Sequence, residues 1–267
     1  ADPFNRWEPG QRLATKLMLD CIAAGRCEAP PRFVDAFARV LRDGAGDPAF
    51  AAEALALPAE TFIAEQMALV DPDAIHTTRR GLRRALAEAL REDLLSAYER
   101  LAVPGAYSPD AASAGRRSLR NLCLGYLMEI ADADVRARCM RQFEHADNMT
   151  DAMAALTALA NTDCPERAGA LAAFYAKWKG EALVVDKWLR AQSTSHLPDA
   201  LSRVQALLTH EAFSVRNPNK VYALIGGFGY GNHVRFHAAD GSGYAFMADR
   251  VIELDALNPQ VASRMAR

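Results

Sequence analysis

The chain has 267 residues, of which 51% are hydrophobic and 24% charged, the composition of a soluble globular protein with one extended domain or two ordinary ones. The 31 basic residues against 33 acidic ones leave a formal charge of −2, which gives nucleic acid and anionic lipid nothing to hold. No apolar run reaches the roughly 18–20 residues that span a bilayer, and no signal peptide opens the chain.

Helical periodicity recurs almost from end to end. Phe33, Phe37, Val40 and Leu41 share one face, closed by Gly44 and Gly46 as a stop signal. Leu82, Leu86, Leu90 and Leu94 step by four along what reads as one long helix ending near Pro104-Gly105. Its Arg79-Arg80 and Arg83-Arg84 pairs, with acids at 88, 92 and 93, read as a solvated helix face rather than a nucleic-acid stripe. Leu119, Leu122, Cys123, Tyr126, Leu127 and Ile130 form an amphipathic stripe. Two further stripes, Leu171–Trp178 and Leu183, Val184 and Trp188, are broken at Gly180, and Leu201, Val204, Leu207 and Leu208 give another. Trp7, Trp178 and Trp188 are expected in the core. Proline or glycine marks the short connections, including Asp47-Pro48, Asp71-Pro72 and Pro218.

β-branched alternation is nearly absent, and no fixed-period repeat signature is present. The expected fold is therefore all-α: an irregular, HEAT-like superhelical array of antiparallel helix hairpins, with a helical bundle as the rival architecture. Residues 1–267 read as a single helical domain. The cysteines at 21, 27, 123, 139 and 164 are odd in number and lack a CxxC pair, which reads as reduced thiols in a cytoplasmic protein.

Candidate chemistry is sparse. In His237-Ala-Ala-Asp-Gly-Ser-Gly-Tyr-Ala-Phe246 there is no lysine for a phosphate loop and no G-x-S-x-G spacing for a nucleophile elbow. Asp240 or Ser242 is expected to cap the helix through Met247, Val251 and Leu254. His210-Glu211-Ala212-Phe213-Ser214 falls one ligand short of the helical zinc motif H-E-x-x-H, because Ser214 occupies the second histidine position. His233 and His237, four apart beside glycines, do not complete a ligand spacing. No metal site, cofactor site or catalytic residue is expected in the chain itself.

Several stretches nevertheless form an ordered set. They include Phe4-Asn-Arg-Trp-Glu8, Asp47-Pro-Ala-Phe-Ala-Ala-Glu-Ala-Leu-Ala-Leu-Pro58, Arg117-Ser-Leu-Arg-Asn-Leu-Cys-Leu124 and Asp147-Asn-Met-Thr-Asp-Ala-Met-Ala-Ala-Leu156. Leu183-Val-Val-Asp-Lys-Trp188, Asn217-Pro-Asn-Lys220, Phe236–Tyr244 and Asn258-Pro-Gln-Val-Ala-Ser-Arg264 complete it. Together they resemble the C-terminal helical domain of the bacterial aminopeptidase N family, zinc metallopeptidases of the gluzincin class.

The resemblance implies a non-catalytic domain of an enzyme that removes N-terminal amino acids from peptides. The zinc and its H-E-x-x-H would belong to a catalytic domain of the same polypeptide, which becomes this chain's partner along with the peptide substrate. The domain would close the active-site chamber and line the primed side of the substrate site through Gln260 and Arg264, which share a helix face. Where the family often carries an arginine after Asn217-Pro-Asn, this chain has Tyr222, so that contribution is missing or replaced. The chain, beginning at Ala1, then reads as a fragment truncated at both ends. An independent helical scaffold that binds other proteins is the alternative that the residue chemistry equally permits.

Overall fold

Several helices here begin with one repeated device. Asp47, Asp71, Asn217 and Asn258 each precede a proline, and each side chain accepts a hydrogen bond from a backbone N–H in the first turn of the helix that follows. The cap satisfies one orphan donor while proline, which has none to lose, presets φ for the helix. Asp110 and Asp132 cap two further helices without the proline.

The computed structural model describes residues 2–266, and the regular elements among them are all helical. The chain divides into two compact units, Ala1–Ala155 and Leu156–Arg267. In chain order the helices are α1 (Pro3–Ala24), α2 (Pro31–Asp43), α3 (Pro48–Leu55), α4 (Glu60–Ala64), α5 (Pro72–Ala89), α6 (Arg91–Arg100), α7 (Ala111–Leu127), α8 (Ala133–His145) and α9 (Met149–Ala160). They continue with α10 (Glu166–Trp178), α11 (Ala182–Ser193), α12 (Ala200–Leu207), α13 (Pro218–Val221), a π-helical turn Tyr222–Gly226, α14 (Gly227–Gly231), α15 (His233–Phe236), α16 (Ser242–Asp255) and α17 (Pro259–Met265). The all-α expectation holds, and short connections join successive helices as the array requires.

Tyr126 on α7 anchors the core of the first unit. Its ring is fully buried, lies edge-on to Phe37 with centroids 5.2 Å apart, and its hydroxyl donates to the Leu55 carbonyl at 2.7 Å. Thus one phenol ties α2 and the end of α3 to α7. Leu119, Cys123 and Leu127 are buried beside it, as their periodicity predicts.

Five expectations need correction. The leucine stripe does not ride one helix: at Leu90 the backbone leaves helical geometry (φ −116°, ψ 23°), ending α5 and starting α6. All four leucines are buried regardless, so their spacing alone does not reveal the break. The arginine cluster is not a solvated face either. Arg79 reaches the Pro58 carbonyl at 2.8 Å, Arg80 and Arg83 both pair with Glu129, and Arg83 also bonds the Gly125 carbonyl and lies over the Tyr126 ring. Only Arg84, paired with Glu88, behaves as expected.

On α11 the break before Ala182 resets the helical phase, so Val185, Trp188 and Leu189 are buried while Leu183 is 68% exposed. Trp188 is the tryptophan of the core; Trp7 and Trp178 are half-buried. Finally, Cys21 and Cys27 are joined as a disulfide, against the reading of reduced thiols throughout. Gly25, in the left-handed region at φ 65°, turns the chain back at the end of α1, and the two Cα atoms lie 4.7 Å apart, within disulfide range. Cys123 and Cys139 are buried and Cys164 is half-buried.

Candidate functional site

The residues expected to meet substrate all lie in the second unit, on a segment whose local structure follows from its glycines and small polar side chains. Asn217 and Pro218 start α13, and Lys220 pairs with Asp186 of α11 at 3.6 Å. The helix then widens into the π turn Tyr222–Gly226, a rare geometry that recurs at functional positions because it re-aims side chains. Ser193 of α11 donates to the Ala223 carbonyl at 3.0 Å. Buried Asn232 bonds the Ser193 and Ser195 carbonyls at 2.9 and 2.7 Å. A β-carbon on Gly227 would overlap the Ser193 hydroxyl, and one on Gly243 would overlap the Phe236 carbonyl. At Gly227 and Gly243, then, close packing leaves no room for a side chain.

This scaffold places the candidate residues as follows. Tyr222 is half-buried at the start of the π turn. On α17, Val261, Ala262 and Met265 are buried, while Gln260 and Arg264 are exposed and share the outward face. Arg264 has no ion pair among the described residues. Tyr230 of α14 donates its hydroxyl to the Arg264 carbonyl at 2.9 Å, fixing the end of α17 against the segment that follows the π turn. Burial first, and proximity to Tyr222 second, hold the Tyr230 phenol above its ordinary value. The structure thus brings Tyr222, Tyr230 and the backbone of Arg264 together, with Gln260 one turn earlier on the Arg264 face. Sequence reasoning did not single out Tyr230. Its one sequence signal is an aromatic between Gly229 and Gly231, where small neighbours leave a ring room to stand out.

The His237–Phe246 stretch is structural in its details. Asp240 accepts the Ser242 N–H at 2.9 Å, whereas Ser242 is the first residue of α16 and not its cap. His237 Nδ1 is 2.5 Å from the Tyr244 hydroxyl, and its ring stacks on His233 with centroids 5.9 Å apart. Burial, then the neighbouring His233, lowers the His237 pKa below the ordinary value.

His210 and Glu211 lie in a turn beyond the end of α12. His210 Nδ1 accepts the Ala212 N–H at 3.0 Å, and Glu211 accepts the Tyr175 hydroxyl at 3.0 Å. Among the described residues no three His, Cys, Asp or Glu side chains converge on a point that would hold a metal, so these residues do not fit a zinc site. No helix among them is long and apolar enough to cross a membrane.

Comparison with known proteins adds an independent constraint. A family model described as a domain of unknown function, DUF3458_C, with ARM repeats matches residues 1–267. Aminopeptidase N of Caulobacter vibrioides is 42% identical over 265 residues, which is 99% of this chain and 31% of that protein. Aminopeptidase N of Escherichia coli is 40% identical over 268 residues, 98% of this chain and 30% of that protein. The crystal structure of Legionella pneumophila aminopeptidase A in complex with aspartic acid superposes with a TM-score of 0.90 at 31% identity, covering 99% of this chain and 32% of that one. The chain therefore spans about three tenths of the length of these relatives.

Proposed function

The chain belongs to the DUF3458_C family of ARM-repeat domains, and from that premise we propose that it is the non-catalytic C-terminal domain of a zinc metallo-aminopeptidase. The observation that carries this reading is the match itself: 42% identity across nearly the whole chain to under a third of an aminopeptidase N. In this reading residues 1–267 make up a single domain that closes the active-site chamber. The zinc sits outside the chain, in the catalytic portion of the same polypeptide, and that portion and the peptide substrate are the partners. The cysteine pattern, with Cys123 and Cys139 buried, favours a cytoplasmic setting, and the Cys21–Cys27 pair weighs on the other side.

Arg264 is assigned to the primed side of the substrate. It is exposed and free of an ion pair among the described residues, so its guanidinium is available to hold peptide carbonyl or carboxylate oxygens. Gln260 can donate to and accept from the same peptide backbone. Tyr222 offers that wall a phenol, where the family resemblance implies an arginine and its positive charge.

The test is reconstitution. Alone, the chain should bind no stoichiometric zinc and release no amino acid from an aminoacyl anilide. Joined to the missing domains it should support activity on peptides. In that whole enzyme Arg264→Ala should cost about tenfold in kcat/KM on peptides of three or more residues, the worth of one charge-assisted hydrogen bond. It should leave aminoacyl anilide hydrolysis nearly unchanged, since an anilide has no primed-side peptide to hold. Zinc binding by the chain alone, or equal loss on both substrates, would overturn the assignment.

A further inference from the structure

The first unit carries a cleft of about 430 Å³ that the reading above does not use. Its walls are basic in a specific way. Helix α7 contributes Arg117 and Arg120, three apart, and α8 contributes Arg141 and His145, four apart. Each pair therefore stands on one helix face, and both pairs line the same cleft.

Arg117 is 4% exposed, yet no carboxylate meets it among the described residues. Its guanidinium bonds the Ser108 carbonyl at 2.8 Å and lies 4.9 Å over the Tyr107 ring. A buried cation without a counter-charge is costly unless something else neutralises it. Arg120 lies 4.3 Å over the Tyr98 ring and bonds its hydroxyl at 2.9 Å. Its Nε is buried without a hydrogen-bond partner, and its one carboxylate neighbour, Asp151, is 3.9 Å away.

The acids of the wall are already engaged. Asp151 accepts from Asn121 at 2.8 Å and Asn148 at 3.1 Å, Asp147 accepts from Asn148 at 2.8 Å, and Glu99 is paired with Arg138. Arg141 and His145 have no acidic partner among the described residues. The wall sets Arg117, Arg120, Arg138 and Arg141 against Glu99, Asp147 and Asp151, so positive charge is in excess, with Arg117 on α7 and Arg141 on α8 meeting no carboxylate among the described residues.

We propose that this cleft binds a small organic or inorganic polyanion with at least two oxyanion groups, carboxylate or phosphate. The α7 pair would take one group and the α8 pair the other. The volume lies in the range of small-molecule sites, well above what a single ion fills. Guanidinium forks match both oxyanion geometries, and the half-exposed Tyr107 ring gives the ligand an apolar edge to rest on.

Calorimetric titration of the chain with pyrophosphate and with citrate, against chloride at matched ionic strength, tests this directly. At least one should bind with a Kd below about 1 mM; pyrophosphate alone identifies the phosphate class and citrate alone the carboxylate class. Arg141→Gln, at an exposed residue with no structural partner, should leave the melting temperature unchanged and weaken binding about tenfold. Arg117→Gln should weaken it at least as much. The proposal is overturned if neither anion binds with a Kd below about 1 mM, or if Arg141→Gln titrates like the unmodified chain.

Discussion

The two units close the gaps between their helices by different means. In residues 1–155 long arginine side chains do most of this. Arg79 reaches the Leu57 and Pro58 carbonyls, Arg83 the Gly125 carbonyl, and Arg116 the Arg100 and Ala102 carbonyls where α6 ends. Several of these oxygens lie at helix ends, where the last turns leave acceptors unpaired and the dipole favours a cation. In residues 156–267 the backbones approach until only small groups fit. Ser193 and Asn232 bond carbonyls directly, and glycine stands where a side chain would collide. Arg235, bonding the His196 carbonyl at 2.7 Å, Arg167, paired with Asp199, and Lys220, paired with Asp186, are exceptions in the second unit. A joint made by a flexible cation tolerates small displacements. One made by backbone contact does not, which suits the segment that carries Tyr222, Tyr230 and Arg264.

The sharpest way to break that contrast is Gly243→Ala. The added β-carbon would meet the Phe236 carbonyl carbon and oxygen, which belong to backbone and have no rotamer to escape into. A loss of about 3 kcal/mol is expected, the upper range for overpacking, measured by chemical denaturation of the chain. A neutral outcome would mean that the close approach at α16 is not a constraint. Arg83→Met is the matching test in the first unit, because it keeps the apolar stem while removing the charge. It breaks the bond to Gly125, the contact with the Tyr126 ring and half of the Glu129 pairing, but Arg80 still neutralises Glu129. The expected loss is about 2 kcal/mol. If it exceeded that of Gly243→Ala, the ranking of the two kinds of joint would reverse.

The same contrast explains what could be read from the sequence. Helix starts were legible because Asp-Pro and Asn-Pro act locally: the cap and the preset φ lie within four residues. Buried leucines were legible from their period. The arginines were misread because only acids on the same stretch of chain were weighed, whereas Gly125, near the end of α7, and Glu129, in the turn after it, lie more than forty residues away. The Cys21–Cys27 pairing depends on the left-handed turn at Gly25, which no cysteine count reveals. At the candidate site Gln260 and Arg264 came from family resemblance and not from chemistry visible in the residues. Tyr230 needed the fold, since its hydroxyl meets the carbonyl of a residue 34 positions further along the chain.

The smallest expected effect at neutral pH also carries the clearest pH signature. Tyr126→Phe removes one hydroxyl and leaves the Leu55 carbonyl without its 2.7 Å donor, a loss of about 1 kcal/mol. Burial pushes the Tyr126 phenol up from 10.0 to about 12, and the nearby Arg83 and Arg79 offset only part of that. The folded protein therefore holds this proton more tightly than the unfolded chain does. The stability it contributes is complete below the unfolded value near 10 and is lost as pH rises toward about 12. Denaturation midpoints taken from pH 7 upward should show the phenylalanine variant less stable at first, with the deficit narrowing above pH 10 and reversing well before the folded value of about 12 is reached. The raised Tyr98 titrates in both proteins and cancels in the difference, while Cys123, also pushed up to about 12 by burial, adds to the rise of the Tyr126 phenol. A deficit constant across that range would show that the Tyr126 phenol ionises as freely in the core as in water. The arginines above and beside its ring would then hold the tyrosinate as well as they hold the neutral phenol.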